Sequence, residues 1–446
     1  MELRNLKNYI TSARALFVIA LAARLAVFGL LLAHYGPGSF YLANNGVALS
    51  DNDSQNYVTI AKNLVEYGEY SRFAAPPYFQ DAFRTPLLPV YFAPFISAFG
   101  FTSGVTAGML VLDIILSFTA VLGYKFAKLF LRNSYALAFG LILALEPLLV
   151  YRSSIAEPDA LIVLLFLAGL YYFVRFWNEG FNKFLILTAL FLGLATLAKP
   201  VGIYTIYFLG LAILFKSRSI KRTAIYALVA LIMVFPWIYR NHEVFGRWSL
   251  SSVTAYNFYN YYTAKLAPVE KWPAEIGGRD PQRDLRNENY FLSQSLARIK
   301  AHPMEYAKQH LVGTLRNFLA EDLVGMRNNG HAGILPFAYD PVNEVNLTDM
   351  VSQGKFKEFA NQIWRMPGFI AWNGLLAVFY LIILYHWLRL YAADKNLFAL
   401  FGIFLAISFY FVFTAGPFVD AKYRLPAVPL LLIIFLHFWQ SRRAVA

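Results

Sequence analysis

Long apolar stretches follow one another along almost the whole chain and are separated by short polar connections. Each apolar stretch is close to the roughly 20 residues that a helix needs to cross a bilayer. The pattern predicts ten transmembrane helices, at residues 15–34, 102–130, 135–151, 158–177, 183–198, 201–216, 223–239, 368–390, 397–418 and 425–440. We therefore expect an all-α polytopic membrane protein, in which the first span remains as an anchor because no small-residue cleavage site follows it.

Two longer polar segments interrupt the spans, at residues 35–101 and 241–367. The first contains DNDSQNYVTIAKNLVEYGEY, which predicts an amphipathic helix with an acidic and hydroxylic cap that ends at Gly68. The second is broken by several prolines and carries amphipathic patterns that suit helices lying on the bundle, as a small cap. The predicted division is a transmembrane module at 1–240, which includes the first loop, a cap at 241–367 and C-terminal helices at 368–446.

Composition supports this interpretation and excludes other classes of protein. Hydrophobic residues make up 58% of the 446 positions and charged residues only 15%, whereas a soluble domain has about a quarter charged. A soluble enzyme is thereby excluded. Because the chain has no cysteine, disulfide bonds, thiolate zinc sites and cysteine nucleophiles are excluded as well.

The distribution of charge predicts the orientation. With the N-terminus inside, the cytoplasmic segments contain sixteen basic and three acidic residues, so the whole net charge of +13 lies on one side. Such a bias is the positive-inside rule, and it explains the high isoelectric point without nucleic acid. We expect a protein of the cytoplasmic (plasma) membrane, with both termini cytoplasmic and both long polar segments extracytoplasmic.

Acidic residues collect near the extracytoplasmic ends of the predicted spans. Asp53 and Tyr57 are four residues apart and share one face at the start of the first-loop helix, with Asp51 just before them. Spacing alone is more typical of a capped helix whose acids lie in water than of a catalytic site. Glu157, in RSSIAEPD, and Glu146 lie at the membrane face, where an unpaired carboxylate is costly and usually faces a cavity.

Two ionisable residues lie deeper in the predicted spans. Arg24 is in the first span and Asp113 is in the second. An isolated charge is costly within the bilayer, so we expect the two to pair as a structural ion pair.

Basic residues beside prolines mark the same face. Arg84 precedes Pro86, Lys199 precedes Pro200, and Arg240 follows Pro236. Lys422 and Arg424 precede Pro426 in the same way. The positive-inside bias disfavours cations there, and a lipid phosphate or pyrophosphate at headgroup level would account for them. Ordinary snorkelling to phospholipid headgroups is the alternative for any one of them.

Several of these segments, in this order, resemble one family. They are DSQNYVTIAKNLVEYG, FRTPLLPVYFAPF, the Glu157-Pro158 span start, GLATLAKPVG, VFPWIYRNHEVFG and KYRLPAVPLLLI. Together they resemble the bacterial GT-C glycosyltransferases, which include protein O-mannosyltransferases and lipid A aminoarabinose transferases. The resemblance extends over most of the chain except the loop after Phe245.

The resemblance implies a GT-C-like helical bundle that moves a sugar from a polyprenyl-phosphate donor to an extracytoplasmic acceptor. The expected acceptor is a protein, a glycolipid or a cell-envelope glycan, and no nucleic-acid partner is expected. By the same resemblance, Asp53 is the catalytic base and Glu157 the second acid, and an inverting reaction is expected. The donor-phosphate cations are Arg84, Lys199, Arg240 and Arg424. The supporting residues are Asp51, Tyr57, Glu146 and Lys422.

No cofactor is firmly implied. The seven histidines form no HExxH pattern, and a divalent cation at Asp51, Asp53 and Glu157 has no support from spacing. A secondary transporter or a lipid-binding membrane protein is the alternative function. A transporter, however, would predict inverted halves and sites near the bilayer midplane, whereas the ionisable residues here crowd one face.

Overall fold

The computed structural model describes residues 3–41, 53–267, 273–319, 355, 357–358, 367–418 and 420–443. Within these residues the chain is almost entirely helical and contains no β-strand. The α-helices are α1 (Leu3–Tyr35), α2 (Asp53–Tyr67), α3 (Leu87–Phe99), α4 (Phe101–Ala127), α5 (Asn133–Leu145), α6 (Pro147–Ser153), α7 (Asp159–Glu179), α8 (Asn182–Ala198), α9 (Ile203–Ser217), α10 (Ile220–Phe245), α11 (Val253–Asn257), α12 (Glu288–Ala301), α13 (Pro303–Leu319), α14 (Pro367–Ala393), α15 (Lys395–Ala415) and α16 (Val428–Arg442). A π-helix (Phe258–Tyr262) follows α11, and a 3₁₀-helix (Ala421–Ala427) leads into α16.

Eight helical segments in the described part of the chain are long and apolar enough to cross a membrane. They lie in α1, α4, α7, α9, α10, α14, α15 and the 421–442 segment that ends in α16. The chain is therefore an all-α integral membrane protein, as predicted.

The count of ten predicted spans is not confirmed, because two of them differ from simple spanning helices. The predicted third span is α5 and α6, bent by 50° where Glu146 meets Pro147. Proline lacks the N–H that would continue the α5 ladder, and the Glu146 side chain accepts from the backbone N–H of Leu149 to cap α6 instead. The predicted fifth span, α8, has only 17 residues.

The buried core joins the helices of the bundle through aromatic and aliphatic side chains. One cluster joins α1, α4, α5, α7 and α8 with α15 and α16, around Phe126, Phe166 and Phe404. A second surrounds α2, α3 and α6. Helix α3 packs so closely on α4 that a Cβ at Gly104 would lie 2.5 Å from the carbonyl oxygen of Phe95, so this position requires glycine.

The residues before α16 are fixed by a helix of the predicted cap. The Asn317 side chain on α13 donates to the carbonyl oxygens of Gly416 (3.3 Å) and Phe418 (3.1 Å), and its oxygen accepts from the backbone N–H of Asp420 (3.0 Å). Gly313 allows this approach, because a Cβ there would lie 2.3 Å from the Gly416 carbonyl oxygen. The cap helix thereby positions the 3₁₀-helix that carries Lys422.

Candidate active site

Five separate segments bring charged side chains together at one end of the bundle. They are the start of α2, the loop before α3, the α6–α7 connection, the end of α8 and the 3₁₀-helix before α16. The carboxylates are Asp53, Glu157, Asp159 and Asp420, and the cations are Arg84, Arg152, Lys199 and Lys422. We call these eight residues the charge cluster. Four carboxylates and four cations leave the cluster without net charge, which lowers the free-energy cost of removing these groups from water.

Asp53 is the most accessible carboxylate of the described site. It is the first residue of α2, and its side chain is 41% exposed. One carboxylate oxygen accepts from the guanidinium of Arg84, and the other lies 3.8 Å from the Lys422 Nζ. Burial alone would raise the pKa of Asp53, but the charges of Arg84 and Lys422 outweigh it and lower the pKa to about 2. Asp53 is therefore ionised and open to a ligand.

Glu157 lies behind Asp53 and is only 5% exposed. Its carboxylate accepts from the Ser54 hydroxyl (3.1 Å) and from Arg152 Nη1 (2.7 Å), and it lies 4.0 Å from the Lys422 Nζ. Burial raises the pKa of Glu157 despite the neighbouring cations. The short α6–α7 connection, in which Pro158 precedes α7, places this side chain in the buried interior.

Arg84 is held by an ion pair with Asp53 and by two aromatic rings. Its guanidinium lies 4.5 Å from the Phe83 ring and 5.2 Å from the Tyr57 ring, between them and Asp53. Its backbone N–H donates to Asp81 Oδ1 at 3.0 Å. The Asp53 carboxylate raises the pKa of Arg84 further above its ordinary value, against the effect of burial. Tyr57, predicted on one face with Asp53, therefore serves as the ring beneath Arg84.

Lys199 faces a crevice beside the cluster. Its ammonium contacts the Asp159 carboxylate and lies 5.3 Å from the Tyr423 ring. Lys199, Lys422 and Tyr423 line the crevice together, and the remaining lining residues are Asp159, Ile162, Val201, Phe411 and Pro426. The crevice is small, about 10 Å³, and combines two ammonium groups with apolar side chains.

Three members of the charge cluster were not predicted as site residues from the sequence: Arg152, Asp159 and Asp420. Arg152 is 2% exposed and joins Glu157 to Asp420, whose carboxylate lies 3.7 Å from Arg152 Nη2. Arg152 and Asp159 both stand within RSSIAEPD, and Asp420 stands two residues before Lys422. The sequence feature that could have identified these three residues is the presence of charged side chains so close to the end of an apolar span.

The structure does not bring Arg240 and Arg424 into the charge cluster. Arg240 donates to the carbonyl oxygen of Asp81 (2.7 Å) and to the Gln80 side chain, and it stacks on Trp237. It supports the loop whose Asp81 holds the backbone of Arg84. Arg424 Nη1 donates to the carbonyl oxygen of Phe318 at 2.8 Å, on the cap side of the 3₁₀-helix.

Two further acids were predicted near the site. Glu146 caps α6, as described above, and Asp51 lies outside the described residues. No group of three or more histidine or carboxylate side chains among the residues described has the arrangement of a metal site.

Arg24 and Asp113 do not form the direct ion pair that the sequence suggested. Both are fully buried. The Arg24 guanidinium turns along its own helix to the carbonyl oxygen of Ala20 (3.1 Å), while Asp113 faces the α6–α7 connection and accepts from the Ser154 hydroxyl at 3.4 Å. Each side chain thus has a polar partner other than the opposite charge.

Comparison with known proteins gives one family and a shared fold. The profile of a family described as dolichyl-phosphate-mannose-protein mannosyltransferase matches residues 84–239, about a third of the chain. This range includes Arg84, Glu157 and Lys199. No curated protein sequence matches the chain.

Solved structures match the chain at low sequence identity. The oligosaccharyltransferase of Archaeoglobus fulgidus in the apo form has a TM-score of 0.50 and 13% identity, over 97% of this chain and 52% of that one. The same enzyme with an inhibitory peptide and a dolichol-phosphate has a TM-score of 0.49 and 13% identity, over 97% and 52%. Apo ArnT from Cupriavidus metallidurans has a TM-score of 0.40 and 14% identity, over 96% and 78%. The chain spans about half the length of the archaeal structures. The resemblance to protein mannosyltransferases that the sequence suggested is confirmed for residues 84–239.

Proposed function

We propose that this protein is a membrane glycosyltransferase that moves a sugar from a polyprenyl-phosphate donor to an acceptor at the extracytoplasmic face. The observation that carries the proposal is the accessible Asp53 carboxylate, held between the two cations Arg84 and Lys422. A base beside cations is what transfer from a phosphate leaving group requires. The matched family, whose description names a dolichyl-phosphate sugar, supports the class of donor.

The cations bind the donor phosphate. Arg84 offers a planar fork of donors suited to phosphate oxygens, and Lys422 and Lys199 offer point charges on the adjacent crevice. Each of these cations contacts a carboxylate in the described structure. The phosphate therefore replaces a carboxylate as the partner of each cation that it recruits. The prenyl chain extends along the apolar walls between the spans.

Asp53 acts as the general base once the phosphate is bound. Its pKa of about 2 depends on Arg84 and Lys422, and a carboxylate with so low a pKa is a weak base at neutral pH. When the phosphate draws these cations away, the pKa of Asp53 rises toward its ordinary value. Donor binding thereby prepares the base for the acceptor.

The transfer is a single displacement. The acceptor hydroxyl gives its proton to Asp53, and its oxygen forms a bond to the anomeric carbon. The bond between that carbon and the phosphate oxygen breaks, and the electron pair leaves with polyprenyl phosphate. The cations stabilise the charge that grows on this leaving group. One displacement inverts the anomeric centre. Glu157, fixed by Ser54 and Arg152, orients the reactants.

A donor-turnover assay tests the proposed function. Purified protein is incubated with undecaprenyl-phosphate-linked sugars and a membrane extract as acceptor source, and undecaprenyl phosphate is quantified by mass spectrometry. Nucleotide-linked forms of the same sugars are the matched control donors. We expect release from a lipid-linked donor and none from the nucleotide forms. Absence of turnover, together with uptake of intact donor into proteoliposomes, would establish transport instead.

A further inference from the structure

A groove on the lipid-facing surface lies between α1 and α4, at the end of the bundle opposite the charge cluster. Its lining residues are Ala13, Arg14, Phe17, Val18, Phe118, Val121 and Lys125. The groove encloses about 460 Å³, which is within the range of roughly 300–1,000 Å³ for small-molecule sites. From Arg14 to the other end of α1 at Tyr35 the helix rises by about 30 Å. The groove is therefore separate from the proposed active site.

Two cations stand at the rim of the groove, and the rest of its lining is apolar. Arg14 lies in the first span, and Lys125 lies in the last turn of α4. With the side chains that the structure describes, neither makes a hydrogen bond, an ion pair or a cation–π contact. Arg175, a basic residue in another membrane-spanning helix, has no need of an external anion because it forms an ion pair with Glu179. Two neighbouring unpaired cations favour an anionic occupant.

The walls of the groove are suited to a hydrocarbon chain. The Phe17 and Phe118 rings, 4.7 Å apart between centroids, join the two helices beneath the cations. Val18 and Phe118 remain 61% and 50% exposed. An occupant must therefore combine a negative headgroup at the membrane face with an apolar chain that extends into the bilayer.

We propose that this groove is a binding site for an anionic phospholipid, with the phosphate between Arg14 and Lys125 and one acyl chain against Phe17, Val18 and Phe118. Basic pockets between transmembrane helices bind such headgroups in general. The lipid fills the concave α1–α4 surface and neutralises its two cations.

Native mass spectrometry of the detergent-purified protein tests this site with phosphatidylglycerol and phosphatidylcholine of identical acyl chains. We expect tighter binding of phosphatidylglycerol. R14Q/K125Q should weaken that binding about thirtyfold, since each basic residue near an anionic lipid contributes about 1 kcal/mol. The matched control, K221Q/K395Q, removes two other exposed cations from the predicted cytoplasmic side and should change the binding less than about twofold, because salt screens distant exposed charges.

The acyl-chain part of the site has its own test. Val18→Trp fills the groove while both cations remain. It should weaken the binding of phosphatidylglycerol and of phosphatidylcholine by a similar factor. Equal losses in R14Q/K125Q and K221Q/K395Q would overturn the proposal in favour of general charge attraction. Full binding in V18W, displacement by sn-glycerol 3-phosphate at similar concentrations, or a protein dimer in place of the bound lipid would also overturn it. A melting temperature near wild type confirms that each variant is folded.

Discussion

Lys422 lies between the two acids of the candidate site, with its Nζ 3.8 Å from an Asp53 oxygen and 4.0 Å from a Glu157 oxygen. It also lies 3.8 Å from Asp420. One ammonium group therefore serves three carboxylates that belong to different segments. Because the backbone of Asp420 is held by Asn317, the cap helix α13 contributes to the position of this cation.

Replacement of Lys422 by methionine should weaken binding of undecaprenyl phosphate by at least about tenfold, because the cluster then carries a net negative charge and repels the ligand. Binding is measured by native mass spectrometry. Lys62→Met is the matched control, since Lys62 lies outside the charge cluster, where it pairs with Glu66 on α2 and lies 5.7 Å from the Phe101 ring. Equal binding by the two variants would contradict a phosphate role for Lys422.

Loss of Arg152 should destabilise the protein more than loss of Arg175, which is about a third exposed. R152M leaves Glu157 buried without its closest cation, which typically costs about 3–5 kcal/mol. R175M breaks the Arg175–Glu179 pair and the contact of Arg175 with the Phe184 ring, and it should cost less, about 1 kcal/mol. Thermal unfolding in detergent gives the comparison. R152M/E157Q should recover part of the loss, because the neutral amide needs no cation. No recovery would show that Arg152 acts mainly through Asp420 or through packing.

Arg84 and Arg240 should respond differently to lysine. R84K keeps the charge beside Asp53 but removes the fork, so donor turnover should fall about tenfold or more with little change in melting temperature. R240K loses contacts to Gln80 and Asp81 and should lower the melting temperature as well, because Arg240 supports the loop that holds Arg84. A loss of turnover in R240K without a change in melting temperature would instead support the role in binding the donor phosphate that the sequence suggested for Arg240.

Lowering the pH should remove the contribution of ionised Asp53 to the stability of the fold. Its pKa is about 2 in the folded protein against an ordinary 3.8, so the ionised form stabilises the fold above the ordinary pKa. This contribution is lost as the pH falls from about 4 to about 2. The melting-temperature difference between wild type and D53N should be constant from pH 7 to pH 5 and shrink below pH 4. A difference that grows at low pH would contradict the assignment.

The sequence revealed most of the architecture and part of the site, for physical reasons. Transmembrane spans are long and uniformly apolar, so α1, α4, α7 and their neighbours could be predicted directly. The break at Glu146-Pro147 was harder, because proline within an apolar stretch either kinks a span or ends it. Arg152 and Asp420 could not be assigned, because their role depends on contacts between segments about 270 residues apart. Arg240 was placed at the phosphate by its position at a span end, whereas its direction is set by Gln80 and Trp237.

The proposed sugar transfer depends most on Asp53 as the general base. Asp53→Asn keeps the shape of the side chain but cannot take the acceptor proton. The matched control is Glu66→Gln, which removes an exposed carboxylate from the same helix α2. D51N, at the neighbouring acid outside the described residues, should have a much smaller effect than D53N.

The decisive measurement is the rate of undecaprenyl phosphate release by wild type, D53N and E66Q, with undecaprenyl phosphate binding measured on the same preparations. We predict that D53N loses turnover by about three orders of magnitude or more yet binds the lipid phosphate at least as tightly as wild type, because its carboxylate no longer competes for Arg84 and Lys422. E66Q should match wild type in both. Turnover by D53N within tenfold of wild type, with binding intact, would contradict the central claim.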